Sequence, residues 1–156
     1  MTKKTTCSNE EQTKKCASDL AEKCFRVEKS FVISLKGPLG AGKSTFARGF
    51  INKWLDLSCE PAAQTIVSPT FNIARVYGSK KPISHLDFYR LKDVSQLEEM
   101  GWEHYLFEHS CCLIEWFDLF PQIKAQVKKD LIIEVELEIL TKNQREVTIT
   151  TTEDFL

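Results

Sequence analysis

Residues 37–44 read GPLGAGKS, and the fold turns on how that stretch is read. The spacing Gly37-x-x-x-x-Gly42-Lys43-Ser44 is that of a phosphate-binding loop. Gly37, Gly40 and Gly42 allow backbone angles and close approaches that a Cβ would block. Successive backbone N–H groups can then converge on phosphate oxygens, and a following helix adds its positive N-terminal end. Lys43 offers a point charge to the β- and γ-phosphates, and the Ser44 hydroxyl can ligate Mg²⁺. Chance produces this pattern in roughly one chain of this length in a few hundred.

Context makes the motif specific. Ahead of it stands Phe31-Val32-Ile33-Ser34-Leu35, a short apolar run of the kind a fully buried parallel strand shows. Behind it, Phe46, Phe50, Ile51, Trp54 and Leu55 recur at helical spacing to about residue 57. Strand, glycine loop and helix form the setting a phosphate loop requires. Three of the six glycines fall within these eight residues. The competing reading is an ordinary glycine-rich turn.

Outward from the loop, Ser8 with Glu11 three residues on reads as a capping box. Cys16, Ala17, Leu20, Ala21 and Cys24 then mark an N-terminal helix over about 8–24. Residues 71–77 (FNIARVY) and 83–89 (ISHLDFY) read as strands around a Gly78–Pro82 turn, and 111–117 (CCLIEWF) as a buried strand. Between the last two, residues 94–109 read as one or two helices broken at Gly101, and a short amphipathic piece follows Pro121. Two alternating runs within 131–152, joined by Thr141-Lys142-Asn143-Gln144, predict an antiparallel hairpin. The expectation is one α/β domain over residues 1–156: a P-loop NTPase-like three-layer fold, with parallel central strands extended by antiparallel edge strands.

Bulk properties agree. A chain of 156 residues, 42% hydrophobic, suits one core. Its net charge of −1 and pI near 6.3 supply no field that draws it to DNA or to a membrane. No apolar run approaches the roughly 18 residues of a membrane helix, and no apolar segment follows the basic N-terminus, so a cytoplasmic protein is expected. Cys7, Cys16, Cys24, Cys59, Cys111 and Cys112 form no C-x-x-C pair; buried reduced thiols are the simple reading, metal or redox roles the other.

Hydrolysis or transfer needs more than a loop: a held cation and an oriented attacking group. Glu115 and Asp87 each stand near the carboxyl end of an apolar strand, the edge where open α/β sheets bind ligands. A carboxylate there is costly to bury without a partner, which argues for a cation; an acid facing water is the alternative. Thr70 reads as a threonine that follows the γ-phosphate or as a turn residue. Trp116 reads first as a large packing residue, His85 as a satisfied core histidine and Arg90 as a surface pair.

Together the segments GPLGAGKSTFARG, SPTFNIARVY, HLDFYRL and LIEWF, spanning residues 37–117, resemble the TsaE (YjeE) family. The resemblance implies a small Mg²⁺-dependent ATPase, weak alone and stimulated by its partners. It would be needed for threonylcarbamoyladenosine modification of tRNAs that read ANN codons. The family acts with TsaB and TsaD, TsaD performing the transfer from threonylcarbamoyl-adenylate, so tRNA is met through the partners. It further implies that Gly37, Pro38, Leu39, Gly40, Ala41, Gly42, Lys43, Ser44 and Thr45 hold ATP, with Thr70 in the switch-like SPTF segment and Trp116 near the nucleotide. Ser44, Asp87 (of the H-x-D motif) and Glu115 fall to the metal; Glu115 and Lys43 fall to catalysis. Pro38 replaces an acidic or amide residue, and Ser44 replaces the commoner threonine while keeping the hydroxyl.

Two other classes stay open: a small-molecule or nucleoside kinase, and a nucleotide-gated scaffold that hydrolyses negligibly. A kinase usually adds an arginine-bearing lid, and here Arg26, Arg48, Arg75, Arg90 and Arg145 are scattered. A GTPase is disfavoured because Asp87 and Asp118 lack a glycine three residues on and no Asn-Lys-x-Asp occurs.

Overall fold

The loop strand is the centre of the sheet. In the computed structural model, which describes residues 1–62 and 73–152, the strands are β1 (Thr2–Cys7), β2 (Phe31–Lys36), β3 (Ala74–Tyr77), β4 (Ile83–Asp87), β5 (Cys111–Glu115), β6 (Ile132–Ile139) and β7 (Arg145–Thr150). The helices are α1 (Glu10–Cys24), α2 (Lys43–Leu57), α3 (Val94–Glu99), α4 (Trp102–Phe107) and α5 (Pro121–Lys124). One seven-stranded sheet runs β1-β7-β6-β2-β5-β4-β3. Its four central strands are mutually parallel, while β7 and β1 at one edge and β3 at the other pair antiparallel.

Helices cover both faces, which is why the central strands read as unbroken apolar runs. Phe31, Ile33, Leu35, Leu113 and Val135 pack with α1 and α2. Val32, Ile114, Leu86 and Ile132 pack with Leu97 of α3, Trp102 of α4 and Ile123 of α5 on the other face. The expected three-layer α/β architecture is therefore present. Trp54 is fully buried on α2, ringed by Phe25, Phe31 and Phe50 at 5.1–5.9 Å, and its indole N–H donates to Lys81 O at 2.9 Å. At the α1–α2 crossing a Cβ on Gly49 would lie 2.6 Å from Lys14 O; glycine is what lets the helices touch.

Three expectations need correction. The cap of α1 is Asn9 rather than Ser8: its Oδ1 accepts from Gln12 N at 2.9 Å, while Gln12 Oε1 accepts from Ser8 N at 2.7 Å. The predicted reciprocal box is thus replaced by the Asn9 cap and a Gln12 contact to Ser8 N, one residue ahead of the cap, and Glu11 instead meets Lys14. Second, the chain ahead of α1, where the sequence predicts no element, forms β1, paired with β7 from Thr2↔Thr150 to Cys7↔Arg145. It is an exposed edge strand, so no alternation betrays it. Third, β4 stops at Asp87 and β5 at Glu115, two residues earlier than the apolar runs suggest. Past β4 the Asp87 carboxylate accepts from Tyr89 N at 3.0 Å, a local turn; past β5 the backbone of Trp116 turns left-handed (φ 63°). The break at Gly101 (φ 65°) and the 141–144 turn stand where the sequence puts them. Thr70, with Ser68, Pro69 and the first two residues of the predicted 71–77 strand, lies outside the described residues.

All six cysteines are free thiols, and only Cys59 is exposed.

Candidate functional site

The site begins where β2 ends. Gly37, Gly40 and Gly42 carry φ of +133°, +74° and +100°, angles that side chains rarely adopt. Gly37 is doubly constrained, since a Cβ there would stand 2.3 Å from Leu137 O on β6. Gly42 caps α2 with no side-chain hydrogen bond, so the first amides of a 15-residue helix face the cleft without a side-chain acceptor of their own cap. Lys43 closes this loop upon itself: Nζ donates to Gly37 O at 2.7 Å and Pro38 O at 2.8 Å, and lies 4.2 Å from the Trp116 ring centroid. Burial pulls its pKa below the usual lysine value, opposed by the Glu115 and Asp87 carboxylates.

Parallel pairing sets the acids beside the loop. Leu35, Glu115 and Asp87 occupy one level across β2, β5 and β4. Glu115 is 3% exposed and Asp87 6%, so neither faces open water as an edge-strand acid would. Ser44, in the first turn of α2, donates from Oγ to Glu115 Oε1 at 3.2 Å. His85 Nε2 stands 2.9 Å from the same oxygen. The left-handed backbone at Trp116, a strained conformation for a bulky residue, turns its ring toward Lys43 and against Tyr89, 4.9 Å away.

Lys43, Ser44, Asp87, Glu115 and Trp116 line a cleft of about 800 Å³, together with Asn9, Thr13, Tyr89 and Arg145. That volume lies in the range of ligand and cofactor pockets. Arg145, the first residue of β7, donates to Gly40 O at 3.1 Å from Nη2, and from Nη1 to the carbonyls of Thr141, Lys142 and Gln144. The guanidinium thereby ties the loop to the β6–β7 turn.

Of the residues singled out in the sequence, Lys43, Ser44, Asp87, Glu115 and Trp116 meet in this cleft. Pro38 offers its carbonyl to Lys43, and Leu39 is 62% exposed at the rim. Ala41 is fully buried in the core, so only its backbone can serve a ligand. Thr45 is buried and accepts from Arg48 Nη2 at 3.2 Å. The sequence reads His85 as a satisfied core histidine and Arg145 as one scattered arginine, yet His85 Nδ1 is left without a partner among the described residues and Arg145 holds the loop. The period-2 pairing of His85 with Asp87 on one strand face was a usable signal; for Arg145, one of several scattered arginines, there was none.

The donors suit a hard cation: one hydroxyl and two carboxylates, without sulfur. No group of three or more His, Cys, Asp or Glu side chains among the described residues is set to hold a metal alone. Mg²⁺ does not need one, because it is held by one or two carboxylates together with water and substrate phosphates.

Residues 7–147 match the model of the family described as threonylcarbamoyl adenosine biosynthesis protein TsaE. The chain belongs to the TsaE family. The match takes in the 37–117 segments together with α1 and most of the β6–β7 hairpin, as the resemblance implied. Relatives named tRNA threonylcarbamoyladenosine biosynthesis protein TsaE include one from Rickettsia felis, 35% identical over 139 residues (88% of this chain, 74% of the relative). Another from Haemophilus influenzae is 40% identical over 113 residues (72% and 66%). The crystal structure of Bacillus subtilis YdiB superposes with a TM-score of 0.69 at 25% identity, covering 97% of this chain and 86% of that one. The TsaE family is thus matched in sequence, and its named role is tRNA threonylcarbamoyladenosine biosynthesis.

Proposed function

We propose that this chain binds ATP with Mg²⁺ in the cleft and hydrolyses it in support of threonylcarbamoyladenosine modification of tRNAs reading ANN codons. The observation that carries this reading is the Ser44–Glu115 hydrogen bond, which puts the loop hydroxyl and a buried carboxylate at one point. Binding is an exchange: Lys43 leaves the Gly37 and Pro38 carbonyls for phosphate oxygens, which accept from the loop amides as well. Ser44 and Asp87, with Glu115 beside them, are the residues that would hold Mg²⁺. When bound, the ion neutralises charge on the β- and γ-phosphate oxygens. Glu115 orients the attacking water and takes its proton. The Trp116 and Tyr89 rings cover the reacting end and exclude bulk water.

Membership of the TsaE family supports a partner complex of the TsaB–TsaD type, with tRNA met through those partners rather than by this chain, and weak turnover when alone. No helix among the described residues is long and apolar enough to cross a membrane, which is compatible with the cytoplasmic location we infer. The deciding experiment measures phosphate release from Mg²⁺–ATP by the full chain, alone and with purified TsaB–TsaD. Release that rises with the partners and stops on chelation of Mg²⁺ supports the reading. ATP-dependent assembly without phosphate release would make the chain a nucleotide-gated scaffold, and a phosphorylated acceptor would make it a kinase.

A further inference from the structure

His85 lies in the middle of β4 and is completely buried. On that strand Ile83, His85 and Asp87 share the face turned toward α2. Across to β5, His85 is level with Leu113 and Asp87 with Glu115, so His85 and Glu115 are diagonal neighbours on one sheet face, within reach of long side chains. The contact is made: 2.9 Å separates Nε2 from Glu115 Oε1.

Two further observations distinguish this histidine from a packing residue. Its other ring nitrogen, Nδ1, is buried and has no hydrogen-bond partner among the described residues. An orphaned buried nitrogen is a cost that leucine in the same space would not incur. The cost is repaid if Nε2–H is what the site requires. Moreover, Glu115 has just two side-chain donors among the described residues, Ser44 and His85. Ser44 belongs to the loop and would be drawn to the metal when nucleotide binds. His85 sits on the rigid centre of the sheet and does not depend on the ligand.

We propose that His85 is the positioning residue for Glu115. It carries its proton on Nε2 and donates it as a hydrogen bond to Oε1, so that Oε2 stays aimed into the cleft once Ser44 is engaged. This rests on the hydrolytic reading above, in which Glu115 acts on water. Outer-shell partners of reactive groups are typically worth about ten- to a hundred-fold in activity, and the expectation here is at the lower end.

The test uses the full chain. In the wild type, ¹⁵N-detected imidazole spectra should show His85 as the Nε2–H tautomer with a pyridine-like Nδ1, shifting on Glu115→Gln. His85→Leu should leave the dissociation constant for ATP within about two-fold of wild type and slow single-turnover phosphate release about ten-fold. His85→Gln, which keeps an N–H, should restore most of the rate. The double variant His85→Leu/Glu115→Gln should be no slower than Glu115→Gln alone, because both changes act through one carboxylate. Wild-type release in His85→Leu, an additive double variant, or a proton on Nδ1 would each overturn the proposal. Should His85→Leu not fold, the tautomer and His85→Gln still decide. The two failures separate: a Glu115-dependent Nε2–H signal with normal hydrolysis by Glu115→Gln overturns the hydrolytic reading and leaves the positioning geometry intact.

Discussion

Ser44 and Glu115 lie 71 residues apart in the chain, yet the hydroxyl of one donates to the carboxylate of the other at 3.2 Å. That single contact joins the two halves of the site: a loop able to hold phosphates, and a strand end able to act on what the loop holds. Glu115→Gln keeps the shape and removes the charge and the base. ATP affinity should change by less than about three-fold while hydrolysis falls by about a hundred-fold, the lower end of what a general base contributes. Equilibrium binding and single-turnover phosphate release measure the two separately; loss of affinity with normal turnover would move Glu115 out of the chemistry.

Lys43→Ala tests the loop itself. Contacts between a charged donor and phosphate contribute about 1.5–3 kcal/mol, so the dissociation constant for ATP should rise roughly ten- to a hundred-fold. Calorimetry is the proper measurement, because Lys43 lies against the Trp116 ring and its removal alters tryptophan fluorescence before any ligand is added. Unchanged affinity would remove Lys43 from phosphate contact.

Arg145 grips Gly40 and the 141–144 turn at once. Arg145→Met preserves the stem and deletes those donors. A lost hydrogen bond is worth about 1 kcal/mol, so nucleotide affinity should weaken about five-fold with hydrolysis of the bound nucleotide unchanged. A loss of turnover at saturating ATP would show that Arg145 touches the reacting end.

Gly49→Ala tests the helix crossing. The new methyl would come within 2.6 Å of Lys14 O and 2.7 Å of Lys14 Cα, so α1 must shift. Overpacking of this kind costs about 1–3 kcal/mol, and melting should fall by roughly 2–4 °C for each of them. Calorimetric melting checks it, and an unchanged midpoint would mean that α1 rides on α2 with room to spare.

Thiol chemistry should report burial. Cys59 alone is exposed, while burial pushes Cys16 up to about 11 and Cys24 up to about 12, and raises Cys111 and Cys112 well above the usual thiol value. A raised pKa keeps the protonated, unreactive form at neutral pH. Titration with a chromogenic disulfide at pH 8 should find one fast thiol in the native chain and six after denaturation; a second fast thiol would mean that β1, α1 or β5 opens readily.

What could be seen in advance follows from burial. β2 and β5 are covered on both faces and advertise themselves as apolar runs. β6 and β7, each half covered in part, alternate visibly. β1 could not be seen, because an edge strand of threonine and lysine buries almost nothing and its single partner is 148 residues away at Thr150. In the site, Lys43, Ser44, Asp87 and Glu115 were legible because loop spacing and the oddity of acids in apolar strands are local signals. His85 meets Glu115 on the neighbouring strand and Arg145 meets Gly40, 105 residues away, contacts that only the folded chain brings together.

The place of β2 at the middle of the sheet has a kinetic consequence. Its two neighbours are drawn from residues 111–115 and 132–139, and every ladder bond that β2 makes closes a long stretch of chain. Such non-local parallel pairing is slow compared with helix formation. The chain can build α1 and α2 early, but Glu115 reaches Ser44 only when β5 has docked. Competence for hydrolysis should therefore arrive only when β5 docks, after the helices have formed.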